Sequence, residues 1–124
     1  MSGSLSRICY RFFRTLANPT RLEIIELLRE GPKSVKEIAK ALNREQSLIS
    51  HNLRPLLRCR FVFSERRKRE RIYHLNRETI EKIFKIFTYH AEKYCPMQGK
   101  CLTELGIKRR KKEEAEKPVY ISHL

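Results

Sequence analysis

The chain has 124 residues and carries 28 Lys and Arg against 14 Asp and Glu, a formal net charge of +14. This length is typical of one domain, and a domain this basic is most simply explained by a polyanionic partner such as nucleic acid, with a basic surface kept for solubility as the alternative. No apolar run reaches the ~20 residues of a membrane span and residues 1–4 lack the layout of a secretory signal, so we expect a cytoplasmic protein without a membrane partner.

Two helices are predicted at the start of the chain. The first is amphipathic and extends from residue 5 to residue 16. Asn18 is suited to cap the second helix, with Pro19 at its first position and Gly31-Pro32 as its stop signal. The apolar residues that define the two helices are Leu5, Ile8, Cys9, Phe12, Phe13 and Leu16 in the first, and Leu22, Ile25 and Leu28 in the second.

The stretch from Ser34 to Leu57 predicts two short helices joined by a tight turn. Ser34 and Glu37 have the spacing of a capping box, and Asn43 can adopt the left-handed conformation that ends a helix. Apolar residues recur at helical spacing, namely Val35, Ile38, Ala39 and Leu42 in the first helix and Ile49, Leu53 and Leu56 in the second. This is the pattern of a helix-turn-helix, whose second helix can enter a DNA major groove.

If the second of these helices buries its apolar residues, hydrogen-bonding side chains face outward. Side chains of this kind reach base edges and phosphates in protein–DNA complexes. The alternative is a plain solvated helix pair in an all-α protein. The candidate DNA-binding residues on this helix are Gln46, Ser47, Ser50, His51 and Arg54.

Residues 61–64 and 71–75 predict two short strands of a β-hairpin, the wing of a winged helix. From Arg54 to Arg71, with both ends included, there are eight Lys or Arg residues and two Glu residues. This charge density favours contact with phosphates and the minor groove, and a solvated hairpin tip is the alternative. The candidate DNA-binding residues of the wing are Arg66, Arg67, Lys68, Arg69 and Arg71.

A long final helix is predicted after Asn76, which is suited to cap it. Its apolar stripe is long and aromatic and needs a partner surface, which the first helix has. Packing within one chain is the alternative. Residues 107–117 are nearly all charged and are interpreted as a solvated helix or tail. The stripe consists of Ile80, Ile83, Phe84, Phe87, Ala91 and Tyr94.

Two segments resemble the ArsR/SmtB family of winged helix-turn-helix repressors. Residues 46–53 look like the family's recognition helix and residues 16–22 like the entry to its second helix, within a likeness that runs from about Leu16 to Leu75. The resemblance implies a mainly α fold with a small β-hairpin wing, and a homodimeric repressor of double-stranded DNA controlled by a metal, a thiol or another small signal. It also implies that the N- and C-terminal helices pair across a two-fold axis, with an interface of Ile8, Phe12, Phe13, Ile83, Phe84, Phe87 and Ala91. On this basis residues 1–106 form the DNA-binding and dimerisation domain and residues 107–124 a charged tail.

Three residues depart from the family's pattern near the wing. Pro55 removes a backbone donor inside the recognition helix and clashes with the carbonyl four residues back, so we expect the helix to kink or end near Arg54. Arg60 and Lys68 stand where the family usually has Gly, after the recognition helix and in the wing.

The positions of the cysteines limit which thiol or metal sites the chain can form. Cys59 is interpreted as a core filler. Cys95 and Cys101 flank a turn and can approach each other as a dithiol, a disulfide switch or ligands of a soft metal or metalloid ion. The family's metal site at the front of the helix-turn-helix has cysteines where this chain has Ser34 and Lys36, so that site is absent.

The sequence contains no recognisable catalytic arrangement, so we do not expect an enzyme. Three functions remain: a sequence-specific transcriptional repressor responsive to a thiol or metal signal, a constitutive architectural DNA-binding protein without a sensor, and an RNA-binding winged helix. A salt-dependent footprint on a defined palindrome separates the first from the second, and competition by structured RNA tests the third.

Overall fold

The computed structural model describes residues 10–95. In chain order its elements are α1 (Tyr10–Leu16), α2 (Pro19–Leu28), β1 (Lys33–Ser34), α3 (Val35–Leu42), α4 (Gln46–Arg58), β2 (Val62–Arg67), β3 (Glu70–Leu75) and α5 (Arg77–Lys93). This order confirms the predicted mainly α fold with a helix-turn-helix and a hairpin wing. The chain divides into two compact units between Asn76 and Arg77.

The core of the first unit is formed by the apolar faces of three helices and by the sheet. The predicted stripe of α4 is confirmed, since its three apolar residues are at most 1% exposed. The predicted stripe of α2 needs a correction, because Leu22 is 40% exposed while Ile24 is fully buried. The other two predicted residues, Ile25 and Leu28, are buried as expected, so the buried face includes Ile24 in place of Leu22. Buried residues of this unit include Ile24, Ile25, Leu28, Ile38, Ala39, Ile49, Leu53, Leu56, Phe61 and Val62.

The helix ends predicted at Asn18, at Ser34 with Glu37, and at Asn43 are confirmed. The Asn18 side chain accepts a hydrogen bond from the Arg21 N–H at 3.1 Å, and Pro19 follows at the first helical position. The Glu37 N–H donates to Ser34 Oγ at 3.2 Å, and the Ser34 N–H donates to Glu37 Oε1 at 2.9 Å, which completes the capping box. Asn43 ends α3 in the left-handed conformation, with φ of 55°.

The expectation that α4 would end near Arg54 is wrong, because the helix contains Pro55 and continues to Arg58. A proline in a helix interior costs about 3 kcal/mol, partly because the carbonyl four residues back loses its donor. That carbonyl belongs to His51, an exposed residue that water can reach. Leu56, directly after the proline, is fully buried, and burying such a side chain contributes about 1.5–3 kcal/mol. A bend at Pro55 stays a prediction.

The wing is longer than predicted. The strands of the antiparallel sheet lie in the order β1-β3-β2, and β2 pairs with β3 from Val62 opposite Leu75 to Arg67 opposite Glu70. The residues between Ser64 and Arg71 were predicted as the tip, but most of them lie in strands and the turn is reduced to two residues. Backbone pairing is possible here because charged side chains on a projecting ribbon remain in water. The two-residue strand β1, opposite β3, was too short to predict.

Two turns use a left-handed backbone without glycine. Arg60 has φ of 63° and Lys68 has φ of 59°. These are the two positions at which the resemblance led us to expect Gly. A side chain in this conformation costs roughly 1–2 kcal/mol, so both turns store strain.

The second unit is described through α5 and the two residues after it. Ile80, Thr88 and Ala91 are buried along one side of this helix. The predicted capping by Asn76 stays a prediction, since the recorded hydrogen bond of its side chain is donated by the amide to the Arg60 carbonyl at 2.9 Å. Among residues 10–95, no helix combines the length and the apolar character that crossing a bilayer requires.

Candidate nucleic-acid interface

The buried stripe of α4 determines which of its side chains face outward. Because Ile49, Leu53 and Leu56 point into the core, residues on the opposite side of the helix are presented to solvent. The outermost residues recur at i, i+4, i+7 and i+11 and therefore share one face; they are Ser47, His51, Arg54 and Arg58. This face carries hydroxyl, imidazole and guanidinium groups, which are suited to base edges and phosphates.

Two exposed residues of α4, Leu48 and Arg58, were not predicted, and one predicted residue, Ser50, is less exposed than expected. Gln46 is exposed at the first turn, whereas Ser50 is half-buried. Arg58 was missed because the helix was expected to end before it, although it continues the spacing of Ser47, His51 and Arg54. Leu48 was missed because only hydrogen-bonding side chains were considered as candidates for the outward face, yet it is 38% exposed.

A hydrogen-bonded link fixes α4 against the start of α2. Asn52 is 4% exposed, and its Oδ1 accepts a hydrogen bond from Arg21 Nε at 3.0 Å. Its Nδ2 donates to the Leu48 carbonyl at 3.0 Å. Arg21 Nη1 donates in turn to the Thr15 carbonyl at 3.3 Å. A charged donor and a buried amide thus join three helices. Sequence periodicity did not reveal this link, because it identifies buried apolar residues and Asn52 is polar.

Cys59 lies at the C-terminal end of α4, where it was predicted to fill the core. It is half-buried, and its Sγ lies 3.3 Å from the hydroxyl of buried Thr15. The contact joins the end of the recognition helix to α1. This environment agrees with a packing role for the thiol.

The two faces of the wing carry different charge. Arg66 and Arg71 lie directly opposite each other, on the face that continues from buried Val62 and Leu75. Arg71 Nη1 donates to Ser64 Oγ at 3.2 Å. Within the described part of the chain, neither arginine forms an ion pair with a carboxylate. Like charges directly opposite are destabilising in a sheet, and an anion bound between the two arginines would reduce this repulsion.

The opposite face of the wing is internally compensated. Arg67 Nη2 lies 3.0 Å from Glu65 Oε1, and Arg67 is paired across the strands with Glu70. The remaining predicted residues, Lys68 and Arg69, form the exposed turn. The structure therefore brings all five predicted basic residues to one hairpin but separates them into an uncompensated pair, a compensated arginine and a tip.

The predicted dimerisation residues differ in how much surface they offer. In the first unit, Phe13 is 63% exposed, while Phe12 packs edge-on against Phe61 with ring centroids 5.0 Å apart. In the second unit, Phe87 is exposed but Ala91 is already buried in the single chain. Ile83 and Phe84 are half-buried. Ile8 lies outside the described residues, and Ile86, which is 70% exposed, was not among the predicted residues.

The predicted thiol site is described only at one of its two residues. Cys95 is a half-buried free thiol two residues beyond the end of α5. Cys101 lies outside the described residues. Between residues 10 and 95 no group of three His, Cys, Asp or Glu side chains is placed to hold a metal ion.

The chain is similar to bacterial regulatory proteins of one family. The model of the family described as "Bacterial regulatory protein, arsR family" matches residues 18–64. The HTH-type transcriptional regulator NmtR of Mycobacterium tuberculosis is 37% identical over 79 residues, which cover 64% of this chain and 66% of NmtR, just under two thirds. The transcriptional repressor SdpR of Bacillus subtilis is 34% identical over 68 residues, which cover 55% of this chain and 74% of SdpR.

A solved structure supports the same relationship. It is the homodimeric winged helix-turn-helix DNA-binding domain of a possible ArsR-family transcriptional regulator from Mycobacterium bovis. The likeness has a TM-score of 0.64 and 27% sequence identity, and it covers 76% of this chain and 93% of that domain. The similarity therefore extends beyond the helix-turn-helix that the family model matches.

Proposed function

The chain belongs to the ArsR family of bacterial regulatory proteins, and from this membership we propose that it is a cytoplasmic, homodimeric, sequence-specific DNA-binding transcriptional repressor. The observation that carries the proposal is the outward face of α4, which presents Ser47, His51 and Arg54 from a helix anchored by a buried stripe. The proposal assigns base reading to the start of α4, phosphate contact to Arg54 and Arg58, and further backbone or minor-groove contact to the wing.

Selection of bound sequences from random duplex DNA tests this proposal. A sequence-specific dimer should enrich an inverted repeat with half-sites about one helical turn apart. Binding to that operator should exceed binding to random duplex by at least about 10³-fold at physiological salt. Enrichment of no sequence would overturn the assignment of sequence-specific binding.

The net charge of +14 supports a second function, an architectural DNA-binding protein that recognises the backbone without reading bases. Such a protein would bind all duplexes with similar affinity and a steep salt dependence. A winged helix that binds RNA is the third alternative. Structured RNA would then compete for the protein better than the selected duplex does.

The regulatory signal is assigned to the thiols of Cys95 and Cys101, as part of the same proposal. Operator affinity should be measured for the wild type and for a Cys95→Ser, Cys101→Ser double variant, each reduced, oxidised, and with arsenite or zinc. A thiol or metal switch requires that the wild type lose affinity in at least one treated state while the double variant does not. Identical affinities in all states would contradict a switch at these residues.

A further inference from the structure

Leu48 is a large apolar side chain on the polar, base-reading part of α4. It is 38% exposed at the third residue of the helix. Gln46 and Ser47 precede it, and His51 follows one turn later, all three of them exposed. Every other leucine or isoleucine of α4 is buried or half-buried. Leu48 is therefore the most exposed leucine or isoleucine of α4.

The backbone beneath Leu48 is held in place by a buried side chain. Asn52 Nδ2 donates to the Leu48 carbonyl at 3.0 Å, and Asn52 Oδ1 accepts from Arg21 Nε at 3.0 Å. The first turn of α4 is thus tied to α2 as well as to its own helix. A side chain on a turn anchored in this way is presented at a fixed position, which recognition of a single chemical group requires.

The surroundings of Leu48 favour nucleic acid as the occupant of this surface. The segment from Arg54 to Arg71, with both ends included, has eight Lys or Arg residues and two Glu residues, so the adjoining elements carry a strong positive charge. If a protein partner docked an apolar surface here, that surface would not compensate the positive charge. A polyanion compensates it directly.

The edges of the base pairs in the major groove offer one apolar group. The other groups exposed there by the four bases are hydrogen-bond donors, hydrogen-bond acceptors and small ring C–H groups, whereas thymine presents its C5-methyl group. An apolar side chain that enters the groove with α4 stabilises the complex when it covers that methyl group and destabilises the complex when it covers a polar edge.

We propose that Leu48 is a specificity-determining residue that contacts the C5-methyl group of a thymine in each half-site of the operator. This inference rests on the proposed function, because it requires α4 to enter the major groove of a defined sequence. It adds the identity of one recognised base to that function.

The test is to replace each thymine of the selected operator by uracil, one position at a time, and to measure affinity by fluorescence anisotropy. Uracil keeps every hydrogen-bonding group of thymine and lacks only the methyl group. The wild type should lose about fourfold in affinity at one position of each half-site, which corresponds to one methyl group returned to water. Leu48→Ala should bind the thymine and uracil operators with equal affinity.

Two further variants serve as controls. Leu22→Ala removes a leucine of similar exposure, 40%, from α2 and should show the same uracil penalty as the wild type. Leu48→Met keeps an apolar side chain of similar size and should retain part of the penalty. Thermal unfolding checks that Leu48→Ala is folded, which its exposed position leads us to expect.

The outcomes separate this inference from the proposed function. An enriched operator whose uracil forms all bind the wild type equally would overturn the inference alone. So would a uracil penalty that persists unchanged in Leu48→Ala, or an operator without thymine in its half-sites. If no sequence is enriched from random DNA, the proposed function fails and this inference fails with it.

Discussion

Gln46 is the exposed amide at the first turn of α4, where the recognition helix is expected to reach base edges. Replacing it by Ala should cost roughly 1–3 kcal/mol of binding free energy on the operator and little on random duplex, because a base contact is lost while phosphate contacts remain. Titration of both duplexes at the same salt concentration measures this difference. Equal losses on the two duplexes would show that Gln46 does not read bases.

Arg60 is exposed and holds a left-handed backbone, with φ of 63°. Glycine avoids the steric cost of this conformation, roughly 1–2 kcal/mol, but loses about 0.5–1 kcal/mol of chain entropy on folding. Arg60→Gly should therefore raise the free energy of unfolding by about 1 kcal/mol in urea denaturation. Arg60→Ala removes the same charge but keeps Cβ, so it should give no such gain; stabilisation of similar size by both variants would assign the effect to charge instead.

Single residues that act on their immediate neighbours were predictable from the sequence. Asn18, Ser34 with Glu37, and Asn43 all end or begin helices as expected, because their hydrogen bonds reach no farther than a few residues along the chain. The strain at Arg60 and Lys68 was not predictable from propensity, since nothing in an arginine or lysine favours a positive φ. The resemblance pointed to both positions by expecting Gly, and the backbone keeps the conformation that Gly would favour.

The link between α2 and α4 makes Asn52 a positioning residue for the recognition helix. Asn52→Ala leaves Arg21 Nε without its acceptor at a half-buried site, which should cost about 1.5–3 kcal/mol of unfolding free energy. Affinity for the operator should fall more than affinity for random duplex, because base contacts depend on the register of α4. Glu23→Gln is the matched control: it weakens the exposed Arg44–Glu23 pair, which is 3.1 Å long and worth ~0–1 kcal/mol.

If Asn52→Ala and Glu23→Gln had equal effects on both stability and specificity, the link would be no more than a surface contact. Urea denaturation and the ratio of operator to random-duplex affinity measure the two quantities separately.

The wing contains two arginine sets that the sequence did not distinguish. Arg66 and Arg71 face each other without a carboxylate partner among the described residues, whereas Arg67 is paired with Glu65. Changing both Arg66 and Arg71 to Gln should reduce the slope of log affinity against log salt by about two units on every duplex. Arg67→Gln should change it by less than one unit, because Glu65 already compensates that charge.

An unchanged slope in the Arg66→Gln, Arg71→Gln variant would place this face of the wing away from DNA. A larger effect of Arg67→Gln would show that the ion pair with Glu65 opens on binding.

Helices and strands were predictable where apolar residues recur at a regular spacing. They were less predictable where charged residues or a proline interrupt that spacing. The period of Ile49, Leu53 and Leu56 placed α4 correctly, but Pro55 suggested too early an end because its local cost is visible in the sequence and the burial of Leu56 is not. The strands of the wing were predicted too short, since no alternation of apolar and polar residues extends to Arg67 and Glu70. Their pairing is decided by backbone hydrogen bonds across the ribbon.

The family and the fold of residues 10–95 were predictable because they depend on the order of elements, which the helix-turn-helix and hairpin patterns supply. The division of the candidate site into base-reading, positioning and compensated residues was not. It depends on distances such as the 3.0 Å between Arg21 Nε and Asn52 Oδ1, which join residues 31 positions apart. Pairing of two subunits was equally difficult to predict from periodicity, because it depends on surfaces rather than on the spacing of apolar residues.

Assembly is predicted to use the aromatic residues of α1 and α5. Phe13 is 63% exposed and Phe87 is 49% exposed in the single chain, so a second copy would remove both from water. Phe13→Asp or Phe87→Asp would then place a carboxylate in an apolar interface without a partner, at a cost of several kcal/mol that should raise the dimer dissociation constant more than 100-fold. Sedimentation velocity at micromolar concentration should show a wild-type dimer and variant monomers. Leu22→Asp, at an exposed position outside the predicted interface, should remain dimeric.

Because each monomer presents one recognition helix, the variants should bind an isolated half-site as the wild type does and lose the added affinity of the inverted repeat. A wild-type monomer under these conditions would contradict the predicted interface, and monomeric variants with undiminished operator affinity would separate dimerisation from DNA recognition.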